Sequence, residues 1–144
     1  MILYDYLDGR GVNVIKEWTI TLGTRDRSKL NNRLDRLGDV KDPIGELPGL
    51  LFGPNIDGQK EIWKLRMGGS GSGNALRPLL CRGPFNKNVE ITLLAGAVEK
   101  DGVLEPHGVA AISEQRRQDV AKDPKRRRTH ERVIDARRDP KTGE

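Results

Sequence analysis

The chain has 144 residues, 33% charged, 35% hydrophobic and only 4% aromatic, with a formal net charge of +5. That is the length of one domain built on an aliphatic core, too short for two independent cores. A single cysteine, Cys81, excludes an intramolecular disulfide and a multi-cysteine zinc site.

No apolar run approaches the roughly 20 residues of a membrane span, and no charged-then-apolar leader opens the chain. The expectation is a cytoplasmic protein in a reducing compartment, with no membrane partner. Its charge is uneven: residues 122–144 hold nine Lys and Arg against five Asp and Glu, a net of +4 that leaves +1 for residues 1–121.

Residues 2–7 (ILYDYL), followed by Asp8 and Gly9, read as a short strand and a turn. Ile15, Trp18 and Leu22 recur at helical spacing, which predicts a helix over about 13–22 stopped by Gly23. Thr24 offers an N-cap to a second helix over 25–37, with Leu30, Leu34 and Leu37 on one face and Gly38 as its stop. The two helices are expected to form an αα-hairpin. Three Pro and four Gly within 41–58 make a connector, with a short extended piece around 50–52.

In 61–67 (EIWKLRM), alternation puts Trp63, Leu65 and Met67 on a core face and Ile62, Lys64 and Arg66 on the other. The run GGSGSG that follows lacks the Lys-Ser/Thr of a phosphate loop and joins two strands, so it reads as a hairpin loop, which leaves open a fold over a ligand. In 75–82, Leu76, Pro78 and Leu80 alternate with Arg77, Leu79 and Cys81, and Pro78 calls for an edge or a bulge that shifts the face of Arg77. Residues 89–95 are apolar enough for a central strand. After a polar turn at 99–105, Pro106 suits the first position of a helix reaching about residue 122. The expected division is a domain over 1–122 and a basic tail over 123–144, disordered or loosely helical over 131–138.

Five stretches in this order carry a resemblance: VIKEWTITL, the 30–37 helix, EIWKLRM with Arg66, ALRPLL with Arg77, and ITLLAGAVEKDGVLEP leading into VAAISEQRR. Over residues 1–122 the chain resembles the RelE/ParE toxin superfamily, particularly its HigB-like, phage-related group. The resemblance implies an α+β fold with a curved antiparallel sheet, the N-terminal αα-hairpin and a C-terminal helix, helices on one face and a basic concave face on the other. It also implies cleavage of mRNA without metal or cofactor, on the ribosome in many members, and inhibition by an antitoxin of helix-turn-helix type. Other members poison gyrase. The matching positions are Arg66, Arg77, Lys100 in the turn after the last strand, and Pro106. Two departures stand out: Ala97-Val98-Glu99-Lys100 replaces a Phe-Lys-Lys pattern, putting an anion where a cation is expected, and Leu76 and Pro78 stand where an aromatic is common.

Metal-free RNA cleavage needs a base for the 2′-hydroxyl, positive charge for the phosphorus centre and an acid for the 5′ oxygen. Arginine suits the charge, and lysine suits proton transfer where neighbouring cations lower its pKa. The catalytic candidates are therefore Lys64, Arg66, Arg77 and Lys100, with Lys64 or Lys100 carrying the proton and His107 as the remaining neutral-pH group. The same cations equally describe a solvated strand face paired with Glu61 and Glu90. Trp63 and Cys81 read as core residues and His130 as a solvated tail residue. Arg82, with Arg126, Arg127 and Arg128 of the tail, is the candidate nucleic-acid contact, against a tail that is simply solvated. A toxin endoribonuclease is the leading function. A non-catalytic inhibitor or adaptor of a host protein such as gyrase and a basic nucleic-acid-binding protein are the alternatives.

Overall fold

The computed structural model describes residues 1–67 and 75–134. Strand β1 (Ile2–Tyr6) leads to helix α1 (Val14–Thr21), whose cap is Asn13: its side-chain oxygen accepts from the Lys16 N–H at 2.9 Å. Helix α2 (Thr24–Asp39) starts on Gly23 without a side-chain cap and runs through Gly38 to Asp39, so neither Thr24 nor Gly38 plays the terminal role its residue type offers. A short helix α3 (Pro43–Glu46) and strand β2 (Leu51–Phe52) interrupt the connector, followed by β3 (Trp63–Leu65).

Pro78 divides the expected 75–82 strand into β4 (Ala75–Leu76) and β5 (Leu79–Arg82), and the register of β5 shifts at Leu79/Leu80. Strand β6 (Glu90–Ala95) is buried at every position. The expected polar turn is a hairpin of β7 (Val98–Lys100) and β8 (Val103–Glu105), closed by Asp101 at φ 51° and Gly102 at φ 78°. Two consecutive left-handed residues are what a two-residue hairpin turn requires, and Asp-Gly supplies them. Helix α4 (Val109–Lys122) begins three residues after Pro106, with Gly108 at φ 77° as its N-cap.

The main sheet has the order β2-β3-β5-β6-β1-β9, where β9 is Arg127–Thr129. β1 runs parallel to β6 and the other neighbours are antiparallel, so the sheet is mixed where an antiparallel one was expected. A second sheet, β4-β7-β8, flanks it. On one face Ile15, Leu30, Leu34 and Leu37 of α1 and α2 pack against Leu65, Leu80, Ile91 and Leu93. On the other, Val109, Ala110 and Val120 of α4 pack against Tyr6, Ile62, Leu79, Cys81 and Leu94. Helices thus cover both faces rather than one, which is why Ile62, expected outside the core, is buried.

The expected tail enters this body. Strand β9 pairs antiparallel with β1, His130 N–H donates to Leu3 O, and buried Val133 accepts from Asn31 Nδ2 at 2.8 Å. Residues 131–134 are not helical. The basic arm therefore closes what would otherwise be an open sheet edge at β1. The readings made for 68–73 and for 135–144 lie outside the described residues. Among the described residues no helix is long and apolar enough to cross a membrane.

Candidate functional site: a cationic cluster around Glu99

Lys64 sits mid-strand in β3, paired with Phe52 of β2 on one side and Leu79 of β5 on the other. Partners across a ladder share a face, so Lys64 and Phe52 lie on the side of Leu79, opposite α1 and α2. The β7–β8 hairpin brings Glu99 to the same side, where Lys64 Nζ donates to Glu99 Oε1 at 2.7 Å with both side chains largely shielded. The Lys64 ammonium also lies 5.1 Å from the Phe52 ring centroid, and the Arg66 guanidinium 5.8 Å from it. Phe52 itself is 51% exposed.

Arg77, in the bend between β4 and β5, is anchored through Nη1 to Met67 O at 2.8 Å and Leu76 O at 2.9 Å. Glu99 is the hub of the group. The hydrogen bond from Lys64 is the largest influence and holds its carboxyl below the usual range; the charges of Lys64, Arg77 and Arg66 add to it, and burial opposes them. Of the four expected catalytic residues, Lys64 bonds this carboxylate directly, while Arg66 and Arg77 act on it through their charge alone, Arg66 lying over Phe52 and Arg77 being tied to backbone carbonyls. The like-charge setting expected around Lys64 contains an anion, and that anion is bonded to it. Lys100 is the next residue on β7, where alternation turns it away from Glu99, and it is exposed.

The expected nucleic-acid residues do not join this cluster. Arg127 crosses Tyr4 at 3.7 Å and Phe85 at 4.8 Å and donates to Glu90 at 2.6 Å. Arg126 donates to Leu7 O and to Tyr6 Oη, whose hydroxyl in turn donates to Asp119. Both guanidinium groups are committed to holding the arm, leaving Arg128 as the exposed member of the three. Arg82 donates to Lys87 O at the turn before β6. β9 and β3 are four strand spacings apart, about 19 Å at the usual spacing of adjacent strands, so the arm and the cluster occupy opposite ends of the sheet.

Other candidates resolve plainly. His130 is not solvated: its Nδ1 lies 2.8 Å from Oδ1 of Asp5, a carboxylate that also accepts from Asn13. Burial pushes the Cys81 thiol up to about 12, which suits a core residue. His107 is exposed ahead of α4. Among the described residues no three His, Cys, Asp or Glu side chains gather as a metal-ligand set.

Sequence reasoning missed two members of the site. Phe52 lies in a segment read as connector, and Glu99 was counted against the site as an intruding anion. The Asp-Gly pair flanked by VEK and VLE was the available signal for a hairpin that aims Glu99 inward. Compared with protein-family models, curated proteins and solved structures, the chain matches none.

Proposed function

We propose that the chain is a RelE/HigB-like toxin that binds RNA at the Glu99 cluster and cleaves it without a metal, its activity held in check in the cytoplasm by a helix-turn-helix antitoxin. The observation that carries this reading is the Lys64–Glu99 pair set, together with Arg66, against the exposed Phe52 ring. The order strand, two helices, strands and closing helix supports it.

In this reading the Glu99 carboxylate takes the 2′-hydroxyl proton as O2′ attacks phosphorus. Lys64 then gives a proton to the departing 5′ oxygen, and Arg66 and Arg77 hold the non-bridging oxygens. The products are a 2′,3′-cyclic phosphate and a 5′-hydroxyl. Because Lys64 and Glu99 are hydrogen-bonded directly, the proton taken by Glu99 returns to Lys64 across 2.7 Å, which resets the pair.

Expression in a sensitive host with mapping of transcript ends tests this. Wild type should arrest growth and create new RNA ends, and Glu99→Gln, Lys64→Ala and Arg77→Ala should each abolish them while remaining folded. Growth arrest that persists in Lys64→Ala/Arg77→Ala, without new RNA ends and with a stoichiometric protein partner, would favour the second reading, a non-catalytic inhibitor of a host protein such as gyrase. The neutralising Lys64–Glu99 pair is the observation on that side.

A further inference from the structure

On the far side of Arg66 lies an open pocket of about 400 Å³, walled by Arg33 and Arg36 of α2, by Glu46 and the 47–50 turn, and by Arg66 and Met67. Arg33 and Arg36 are one helical turn apart and so share a face of α2. Among the described residues no carboxylate forms an ion pair with Arg33, Arg36 or Arg66. Glu46, the acidic member of the wall, already accepts from the Lys41 and Asp42 amides through Oε2. The pocket therefore gathers three guanidinium groups against one carboxylate that caps its own loop. Arg66 belongs to both places, since it also lies over Phe52 beside Lys64.

We propose that this pocket holds a backbone phosphate of a single-stranded polynucleotide whose neighbouring base stacks on Phe52, a subsite that rests on the RNA-directed reading of the Glu99 cluster. Guanidinium forks match phosphate oxygens, whereas a half-exposed aromatic matches the face of any base. An open pocket suits a polymer that continues past it better than an isolated small anion. The strand would cross the β2 edge of the sheet, with one phosphate at Arg33, Arg36 and Arg66 and the next at Lys64 and Arg77.

The test is binding of an oligouridylate of about ten nucleotides, a span within the usual site sizes for single strands, measured by fluorescence anisotropy from low to moderate salt. Compared are wild type, Arg33→Gln/Arg36→Gln, Phe52→Ala and Lys64→Ala/Arg77→Ala, each first checked for folding by circular dichroism. Arg33→Gln/Arg36→Gln should bind roughly tenfold more weakly, with the slope of log affinity against log salt reduced by about 1. Phe52→Ala should bind roughly 5- to 100-fold more weakly with an unchanged slope, the signature of lost stacking. If Arg33→Gln/Arg36→Gln keeps wild-type affinity and slope while Lys64→Ala/Arg77→Ala loses both, the pocket proposal is overturned and the RNA reading stands. If wild type shows no salt-dependent binding at all, both fall together.

Discussion

Replacing Arg127 by Ala separates a structural basic arm from a nucleic-acid-binding one. Arg127 and Glu90 are an ion pair at 2.6 Å with side chains 10% and 7% exposed. Removing one partner of such a shielded pair costs about 3–5 kcal/mol, because the other charge is left buried. The second Glu90 oxygen keeps its hydrogen bond from the Asn86 N–H at 2.6 Å, which argues for the lower end. The ring contacts with Tyr4 and Phe85 add about 0.5–1 kcal/mol each. A total near 4 kcal/mol is a large part of the roughly 5–15 kcal/mol that holds a domain of this size together. Urea unfolding followed by the fluorescence of Trp18 and Trp63 should show the midpoint falling by about 2 M for a slope of about 2 kcal/mol per M. Arg128→Ala, at an exposed position of the same strand, should stay within about 0.5 kcal/mol of wild type. In Glu90→Gln/Arg127→Ala the combined loss should be smaller than the sum of the two single losses. An Arg127→Ala loss below about 1 kcal/mol, or equal losses at 127 and 128, would refute the structural account of the arm.

Three further outcomes follow from the geometry. Because the Glu99 pKa is lowered on folding, the Lys64–Glu99 pair contributes stability above the ordinary glutamate value near 4.5, and that contribution is lost as pH falls through the lower folded value. Glu99→Gln should accordingly flatten the acid limb of stability against pH, and an identical limb in the variant would count against the pair. Gly96→Ala would place a Cβ closer than 3.0 Å to three ring carbons of Trp18, so unfolding assays should show a loss of about 1–3 kcal/mol with a shift in tryptophan emission. The Cys81 thiol, buried and pushed up to about 12, should react with a disulfide reagent only at the rate of global unfolding; prompt stoichiometric labelling of the native protein would contradict its burial.

Local pattern was sufficient wherever a segment's own residues set its conformation. The period of Leu30, Leu34 and Leu37 announced α2, the apolar run ending at Ala95 announced the central strand, and Asp123-Pro124 marked the end of α4. Terminal residues were less legible. Gly38 stays inside α2 beside the chain start, where the Met1 amino group donates to the Gly38 and Val40 carbonyls, and Pro106 precedes α4 without opening it. At Gly38 the Met1 contacts outweighed a local preference of about 1 kcal/mol.

From the residues alone came the α+β class, the main helices and strands, and the placing of Lys64 and Arg66 on one face of a strand, because helical and strand periodicity are local properties. Only the tertiary structure decided that β1 runs parallel to β6, that the basic arm forms β9, and that Glu99 meets Lys64 across 35 positions. Those pairings join distant segments, and nothing in a window of neighbouring residues records which edge a strand will fill. The arm's charge read as an invitation to phosphate, whereas in the fold Glu90, Tyr4, Tyr6 and Phe85 claim two of its arginines. The anion that looked like a defect at position 99 became the partner of Lys64, because the β7–β8 hairpin aims it at that residue of β3.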